Sequence, residues 1–219
     1  MQLRVTILFL ALVLGTATSS AEDDSDAVRS VFASYRRAIL SGDGDAAAAL
    51  LSQSTYDYYA EMKYLALYGS SEEVKSQSLV NQMQVLMYRL RIPTEQLESM
   101  SPSSLFAHEV NQGWIGKSSV VKLQPGKVIS EGNAAALHVV VDGQVAGAPF
   151  QFNRESAQWR LDLVPTTQAR NAALETIGKQ QGVSGEGFML ILMESVLGRK
   201  VGAEDWEAPL GVARSEGSL

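Results

Sequence analysis

From residue 120 to residue 165 apolar and polar residues alternate along the chain, and no other feature restricts the possible fold as strongly. Pro-Gly at 125–126, Gly-Asn at 132–133 and Asp-Gly at 142–143 interrupt the alternation, and such pairs favour tight turns. Successive side chains of a strand point to opposite faces, so residues of one parity share a face. Here that face is apolar, with Leu137, Val139, Val141, Phe150, Phe152, Trp159, Leu161 and Leu163. The pattern predicts an antiparallel meander of four or five strands.

Helical patterns precede and follow this sheet. Apolar residues at helical spacing, with capping residues and glycines at their ends, predict helices at about 26–41, 45–52, 55–68, 70–92 and 101–111. Two more are predicted after the sheet, Thr167–Lys179 and Gly185–Arg199. An antiparallel sheet with one apolar face needs a cover, which helices can supply. The predicted fold class is α+β: N-terminal helices packed on a curved antiparallel meander sheet of four or five strands, plus C-terminal helices.

The N-terminus has the order of a secretory signal: Arg4, the apolar run VTILFLALVLG, and the small residues TATSSA. Ser19 and Ala21 suit positions −3 and −1 of a cleavage site, so we predict cleavage after Ala21. A membrane anchor is the alternative. A helix of this length reaches only about 16 Å, roughly half of the hydrocarbon thickness of a bilayer.

The chain contains no cysteine, so no disulfide stabilises it and a packed core must do so. Export without disulfides, and without a glycosylation sequon, favours a bacterial protein of the periplasm or the medium. The net charge is −6, and loss of Arg4 with the signal would make it −7. Because no basic cluster is present, we expect neither nucleic acid nor an anionic membrane as partner. No stable membrane span is expected after cleavage.

The motifs of common catalytic sites are incomplete. Asn111 stands where the stretch up to Ser118 would need the first glycine of a phosphate-binding loop. His108-Glu109 begins the zinc motif H-E-x-x-H, but Gln112 replaces its second histidine. With two histidines and no cysteine, the sequence predicts no metal site, no cofactor and no assigned catalytic residue.

Three stretches carry a family resemblance: SGDGDAAAALLS at 41–52, GNAAALHVVVDGQ at 132–144 and PFQFNRESAQWRLDL at 149–163. In their order along the chain and their pattern of residue types, these stretches resemble the nuclear transport factor 2-like superfamily, the cystatin-like α+β cone. The resemblance is greatest to its exported bacterial branch of unknown function. The resemblance covers about residues 26–164. It implies a fold but no single activity, because the superfamily includes isomerases, dehydratases, cyclases, protein-binding modules and toxin-immunity proteins.

Two segments depart from that superfamily, a helical insertion at about 70–111 and the C-terminal helix pair. We therefore expect a signal peptide at 1–21, a single α+β cone-like domain at 22–199 that includes both departures, and a polar, flexible tail at 200–219.

The function expected first is that of an exported, non-enzymatic binding module. An apolar pocket in the cone would hold a small apolar ligand; its candidate residues are Tyr35, Tyr56, Tyr59, Trp114, Phe150 and Trp159. Alternatively the apolar segment FMLILMESVL would bind a protein partner, or a second copy in a homodimer, through Phe188, Ile191, Leu192 and Val196.

A small isomerase- or dehydratase-like enzyme is the alternative, and a toxin-immunity protein is a third possibility. The enzyme would use an acid–base pocket whose candidates are Tyr56, Tyr59, Tyr88, His138, Asp142 and Asp162. Parity places His138, Asp142 and Asp162 on the sheet face opposite the core, which favours a solvated polar row over a catalytic site.

Overall fold

The computed structural model describes residues 18–211, and the apolar run of the predicted signal peptide lies outside them. Within this range a group of helices comes first, then the strands, then two more helices. The helices are α1 Thr18–Ser41, α2 Gly44–Ala48, α3 Gln53–Tyr68, α4 Ser71–Lys75, α5 Leu79–Arg91, α6 Thr94–Ser99, α7 Pro102–Asn111, α8 Val164–Gln180 and α9 Gly185–Leu197. The strands are β1 Gln124–Glu131, β2 Ala134–Val141, β3 Gln144–Val145, β4 Phe150–Glu155 and β5 Gln158–Asp162. The predicted α+β class is confirmed.

The strands form one antiparallel sheet in the order β1-β2-β4-β5, and the short β3 pairs with the end of β2. Its core face carries the predicted parity: Leu137, Phe152 and Leu161 are buried, and Trp159 is 5 % exposed. Helix α1 lies on this face and buries Phe32, whose ring centroid is 5.1 Å from that of Phe150. The alternation thus marked the core face correctly.

Polar contacts join the helices to the sheet at two places. At the start of α1, the Asp24 carboxylate accepts hydrogen bonds from Arg154 and from Trp159 Nε1, and the guanidinium of Arg154 stacks on the Trp159 ring at 4.5 Å. Before α3, the chain runs beside β5, where Leu161 N donates to Leu50 O at 2.8 Å. These contacts attach the hairpin β4–β5 to helix α1 and to the segment before α3.

One predicted helix is interrupted. The stretch expected as a single helix at 70–92 is divided into α4 and α5 by residues 76–78. Gln82 stabilises the break, because its buried amide donates to Lys75 O at 3.0 Å and to Gln77 O at 2.8 Å. A side chain of α5 therefore supplies donors that helix continuation would otherwise supply.

The turn predicted at Pro125-Gly126 was wrong, because both residues belong to β1. Residues 120–123, expected as strand, form a turn instead. Proline is compatible with β1 because this is an edge strand and its register shifts between Pro125 and Val128, as in a β-bulge. A Cβ at Gly126 would lie 2.8 Å from His138 O, so glycine allows the close approach of β2.

The predicted flexible tail is also revised, since its first part packs on the helices. Trp206 is 5 % exposed, its carbonyl accepts from Arg89, and the Lys75 ammonium lies 5.1 Å from its ring centroid. The other N–H groups of Arg89 bind three carbonyls at the C-terminal end of α3, those of Leu65, Ala66 and Gly69. A single guanidinium thus ties α3, α5 and the segment after α9 together.

Candidate functional site

The space between the sheet and the first helices is almost full. Between the sheet and the first helices a cavity of about 90 Å³ remains, and Tyr35, Tyr59 and Phe150 are among its lining residues. Such a space holds a few waters at most. The predicted cone pocket is therefore filled largely by its own side chains.

An open groove of about 690 Å³ adjoins this cavity, and this volume is typical of small-molecule sites. Helices α5, α8 and α9 and the turn after α7 form its walls. We call it the apolar groove; its apolar lining residues are Val80, Met83, Met87, Trp114, Ile115, Ala173, Leu174, Ile177, Met193 and Val196. The helical insertion and the C-terminal pair, the two segments that depart from the superfamily pattern, supply most of this lining.

Helix α8 is a loosely packed wall of the groove. Of its 17 residues only Gly178 is buried. Arg170, Leu174 and Ile177 follow one another at helical spacing on its inner face, yet they border the groove, and Ile177 is 40 % exposed. The apolar face of α8 is thus directed at open space that an apolar molecule could fill.

A buried carboxylate, Glu109 of α7, lies where the cavity and the groove meet. Glu109 is 7 % exposed. Tyr59 donates to its Oε2 at 2.8 Å, while Tyr88 and Gln84 Nε2 donate to its Oε1 at 2.6 and 3.2 Å. These donors come from α3 and α5, so the carboxylate joins three helices at the base of the groove.

Burial raises the pKa of Glu109 to about 6; the hydrogen bonds from Tyr88, Tyr59 and Gln84 and the charge of Arg170 partly oppose this rise. Burial and the neighbouring carboxylate also raise the pKa of Tyr59 and Tyr88 well above the ordinary value. The tyrosines therefore stay protonated as donors, and Glu109 is the group of this cluster that changes charge near neutral pH.

A polar pocket of about 430 Å³ is also lined by Tyr58, whose side chain borders the small cavity as well. The Tyr58 hydroxyl lies 2.6 Å from Gln84 Oε1 and 3.0 Å from Asn81 Oδ1, either of which can accept its proton. Gln84 and Tyr58 thus connect the polar base of the apolar groove to the polar pocket by hydrogen bonds. The site therefore has an apolar side and a polar side.

The predicted pocket residues divide into three sets. Tyr35, Tyr59 and Phe150 line the small cavity, and Trp114 lines the apolar groove. Tyr56 lines neither space, and its hydroxyl donates to Ala48 O at 2.6 Å. Trp159 lines neither space, and its ring packs in the core under Arg154.

The predicted partner surface on α9 is partly available. Ile191 and Val196 are 54 and 53 % exposed, whereas Phe188 and Leu192 are half-buried. The opposite side of α9 buries Met189 and Met193. Helix α9 therefore packs by one face, and Val196 also contributes to the rim of the apolar groove.

Among the acid–base candidates, only Tyr59 and Tyr88 lie beside a buried acid. Asp142 is exposed, His138 is half-buried on the outer sheet face, and Asp162 accepts from the backbone N–H of Val164 at the start of α8. Within residues 18–211 no group of three or more histidine, aspartate or glutamate side chains is arranged to hold a metal ion. In the same range no helix combines the length and hydropathy needed to cross a membrane.

Sequence reasoning missed Glu109 because it considered this residue only as part of an incomplete zinc motif. A usable signal exists: Leu105, Phe106 and Val110 are the buried face of α7, and Glu109 occupies that face. An acidic residue on an apolar helix face needs buried partners, and such residues often belong to functional sites.

No protein-family model, curated protein or solved structure matches this chain.

Proposed function

We propose that this protein is an exported, non-enzymatic module that binds a small, elongated apolar ligand in the apolar groove. One observation carries the proposal: the inner face of α8 is apolar but borders a groove of about 690 Å³ instead of packing on the core. Exposed apolar surface of this kind on a soluble protein commonly marks a binding site.

The lining supports a flexible apolar ligand. Met83, Met87 and Met193 border the groove, and methionine side chains adapt to ligands of varied shape. Trp114 also lines the groove, and its flat ring can pack along a chain or a ring system. The polar groups around Glu109 occupy the base, so the polar end of a ligand would lie there.

The test uses N-phenyl-1-naphthylamine, an apolar dye that fluoresces when it leaves water. We expect it to bind and to be displaced by 1-dodecanol, and we expect Ala173→Trp to abolish binding by filling the groove. Ala172→Trp is the matched control, since Ala172 is exposed on the same helix and lies outside the lining. Equal dye binding by both variants, with unchanged circular dichroism, would show that the groove is not the site.

Export is part of this proposal and rests on the N-terminal sequence alone. The mature protein is expected to begin at Glu22. N-terminal sequencing of protein recovered from a periplasmic fraction tests this, and an intact Met1 in that fraction would refute cleavage.

Membership of the nuclear transport factor 2-like superfamily is likewise a proposal, supported by the three sequence stretches named above and by helices that precede an antiparallel meander. Homologous sequences that connect this chain to the superfamily through β2, β4 and β5 would support it. A series of homologues that leads to a different superfamily would refute it.

A second candidate function, acid–base catalysis, is favoured by Glu109. A buried carboxylate with a pKa of about 6 beside protonated tyrosines can accept a proton from a carbon acid at neutral pH. The protein in D₂O with 2-dodecanone would then catalyse deuterium incorporation next to the carbonyl, and Glu109→Gln would abolish it. Incorporation at the rate of the buffer alone would leave binding as the function.

A further inference from the structure

We infer that the ligand of the apolar groove is an anionic amphiphile, such as a long-chain carboxylate, whose head group is bound by Arg170. The inference rests on the proposed binding function and specifies the chemical class of the ligand. The inference depends on the position of Arg170, on the free N–H donors of its guanidinium, and on the hydrogen bonds that already occupy the Glu109 carboxylate.

Arg170 lies at the junction of the two spaces, since it lines both the small cavity and the apolar groove. Among the described residues that line them, Arg170 is the only cation and Glu109 the only acid. Arg170 projects from the inner face of α8, one turn before Leu174. An apolar chain lying along Leu174 and Ile177 would therefore bring its end to the guanidinium.

The guanidinium of Arg170 has unused donors. Arg170 is exposed, and within the described part of the chain it makes no hydrogen bond or ion pair, although it carries five N–H groups in a planar fork. Two arginines of the neighbouring helix α5, by contrast, are occupied: Arg89 donates to four backbone carbonyls, and Arg91 donates to Val196 O. A planar fork of free donors matches a carboxylate, which can accept two parallel hydrogen bonds.

The nearby carboxylate of Glu109 is not the partner of the Arg170 guanidinium. Its two oxygens already accept three hydrogen bonds from Tyr59, Tyr88 and Gln84, and none from Arg170. Arg170 lines the same cavity as Glu109, Tyr35 and Tyr58, and its positive charge favours the charged form of Glu109. A ligand carboxylate at Arg170 would fill the remaining part of the polar base of the apolar groove.

The test compares three ligands with the same apolar chain, namely dodecanoate, 1-dodecanol and dodecyltrimethylammonium, by displacement of N-phenyl-1-naphthylamine at about pH 8 and below the micelle concentrations. A charge-assisted pair predicts that dodecanoate binds roughly tenfold more tightly than 1-dodecanol, and the ammonium compound least tightly. Arg170→Gln should lower the affinity for dodecanoate about tenfold and leave that for 1-dodecanol unchanged. Lys179→Gln is the matched control, because it removes the same charge from an exposed site on α8 outside the lining.

The outcomes separate the two proposals. If no compound displaces the dye, the proposed function fails and the inference fails with it. If all three bind with similar affinity, or if Arg170→Gln and Lys179→Gln behave alike, the groove binds apolar ligands without head-group selection, and only the inference is overturned. Tightest binding of the ammonium compound would also overturn it, since Glu109 would then select the head group. The comparison in the unmodified protein decides the matter even if Arg170→Gln does not fold.

Discussion

Replacing Glu109 by glutamine should remove a pH dependence of stability that this one carboxylate creates. Burial raises its pKa in the folded protein from 4.5 to about 6. The folded state thus binds the proton more tightly than the unfolded state. This contribution to the free energy of unfolding is fully present below about pH 4.5 and is lost as the pH rises through about 6. The change amounts to about 2 kcal/mol.

Urea unfolding, followed by tryptophan fluorescence, measures the free energy of unfolding at about pH 4.5 and about pH 7.5. Because other groups titrate as well, the relevant quantity is the difference between Glu109→Gln and the unmodified protein at each pH. Relative to the unmodified protein, the variant should gain about 2 kcal/mol on going from the lower to the higher pH. Glu98→Gln, at an exposed carboxylate of α6, is the control and should change by less than about 0.5 kcal/mol. If the difference for Glu109→Gln were the same at both pH values, the buried carboxylate would not titrate in this range, and the proposed site electrostatics would be refuted.

Tyr88→Phe removes a hydrogen-bond donor to the Glu109 carboxylate, so the pKa of Glu109 should rise further. The same urea series should then place the midpoint of the pH dependence above about 6. An unchanged midpoint would show that Tyr88 does not stabilise the negative charge of Glu109. Trp159→Ala should lower the free energy of unfolding by about 3–5 kcal/mol, because the ring is 5 % exposed in the core, and a loss of less than about 1 kcal/mol would contradict that placement. Arg89→Ala should cost at least about 2 kcal/mol and expose Trp206 to acrylamide quenching, because four carbonyls lose their donor; unchanged quenching would show that other contacts hold the C-terminal segment.

The sheet could be predicted from the sequence because its signal is local. The parity of Leu137, Phe152 and Leu161 determines which face is buried, whichever strands become neighbours. Pro-Gly at 125–126 is ambiguous in sequence, because a local pattern does not distinguish a turn from a bulge on an edge strand. That distinction depends on the pairing of Pro125 with Val139 of β2, 14 positions later in the sequence.

The candidate site could not be predicted in the same way, since it consists of long-range contacts. Glu109 accepts hydrogen bonds from Tyr59 and Tyr88, which precede it in the sequence by 50 and 21 positions. No periodicity encodes those distances. The apolar groove depends on how the insertion and the C-terminal pair approach each other, so the sequence indicated apolar α9 residues but not the space beside α8.

The two margins of the sheet limit how copies of this protein could associate. Along β1, the proline without an N–H and the register shift interrupt the row of backbone groups that an incoming strand would need. Along β5, backbone bonds with Leu50 and Ser52 already occupy the facing groups of Leu161. Extension of the sheet from molecule to molecule, the usual route to fibrous aggregates, therefore meets an obstacle at either margin. A dimer formed by strand pairing at these margins is therefore disfavoured, and the exposed apolar residues of α9 are the first surface to examine.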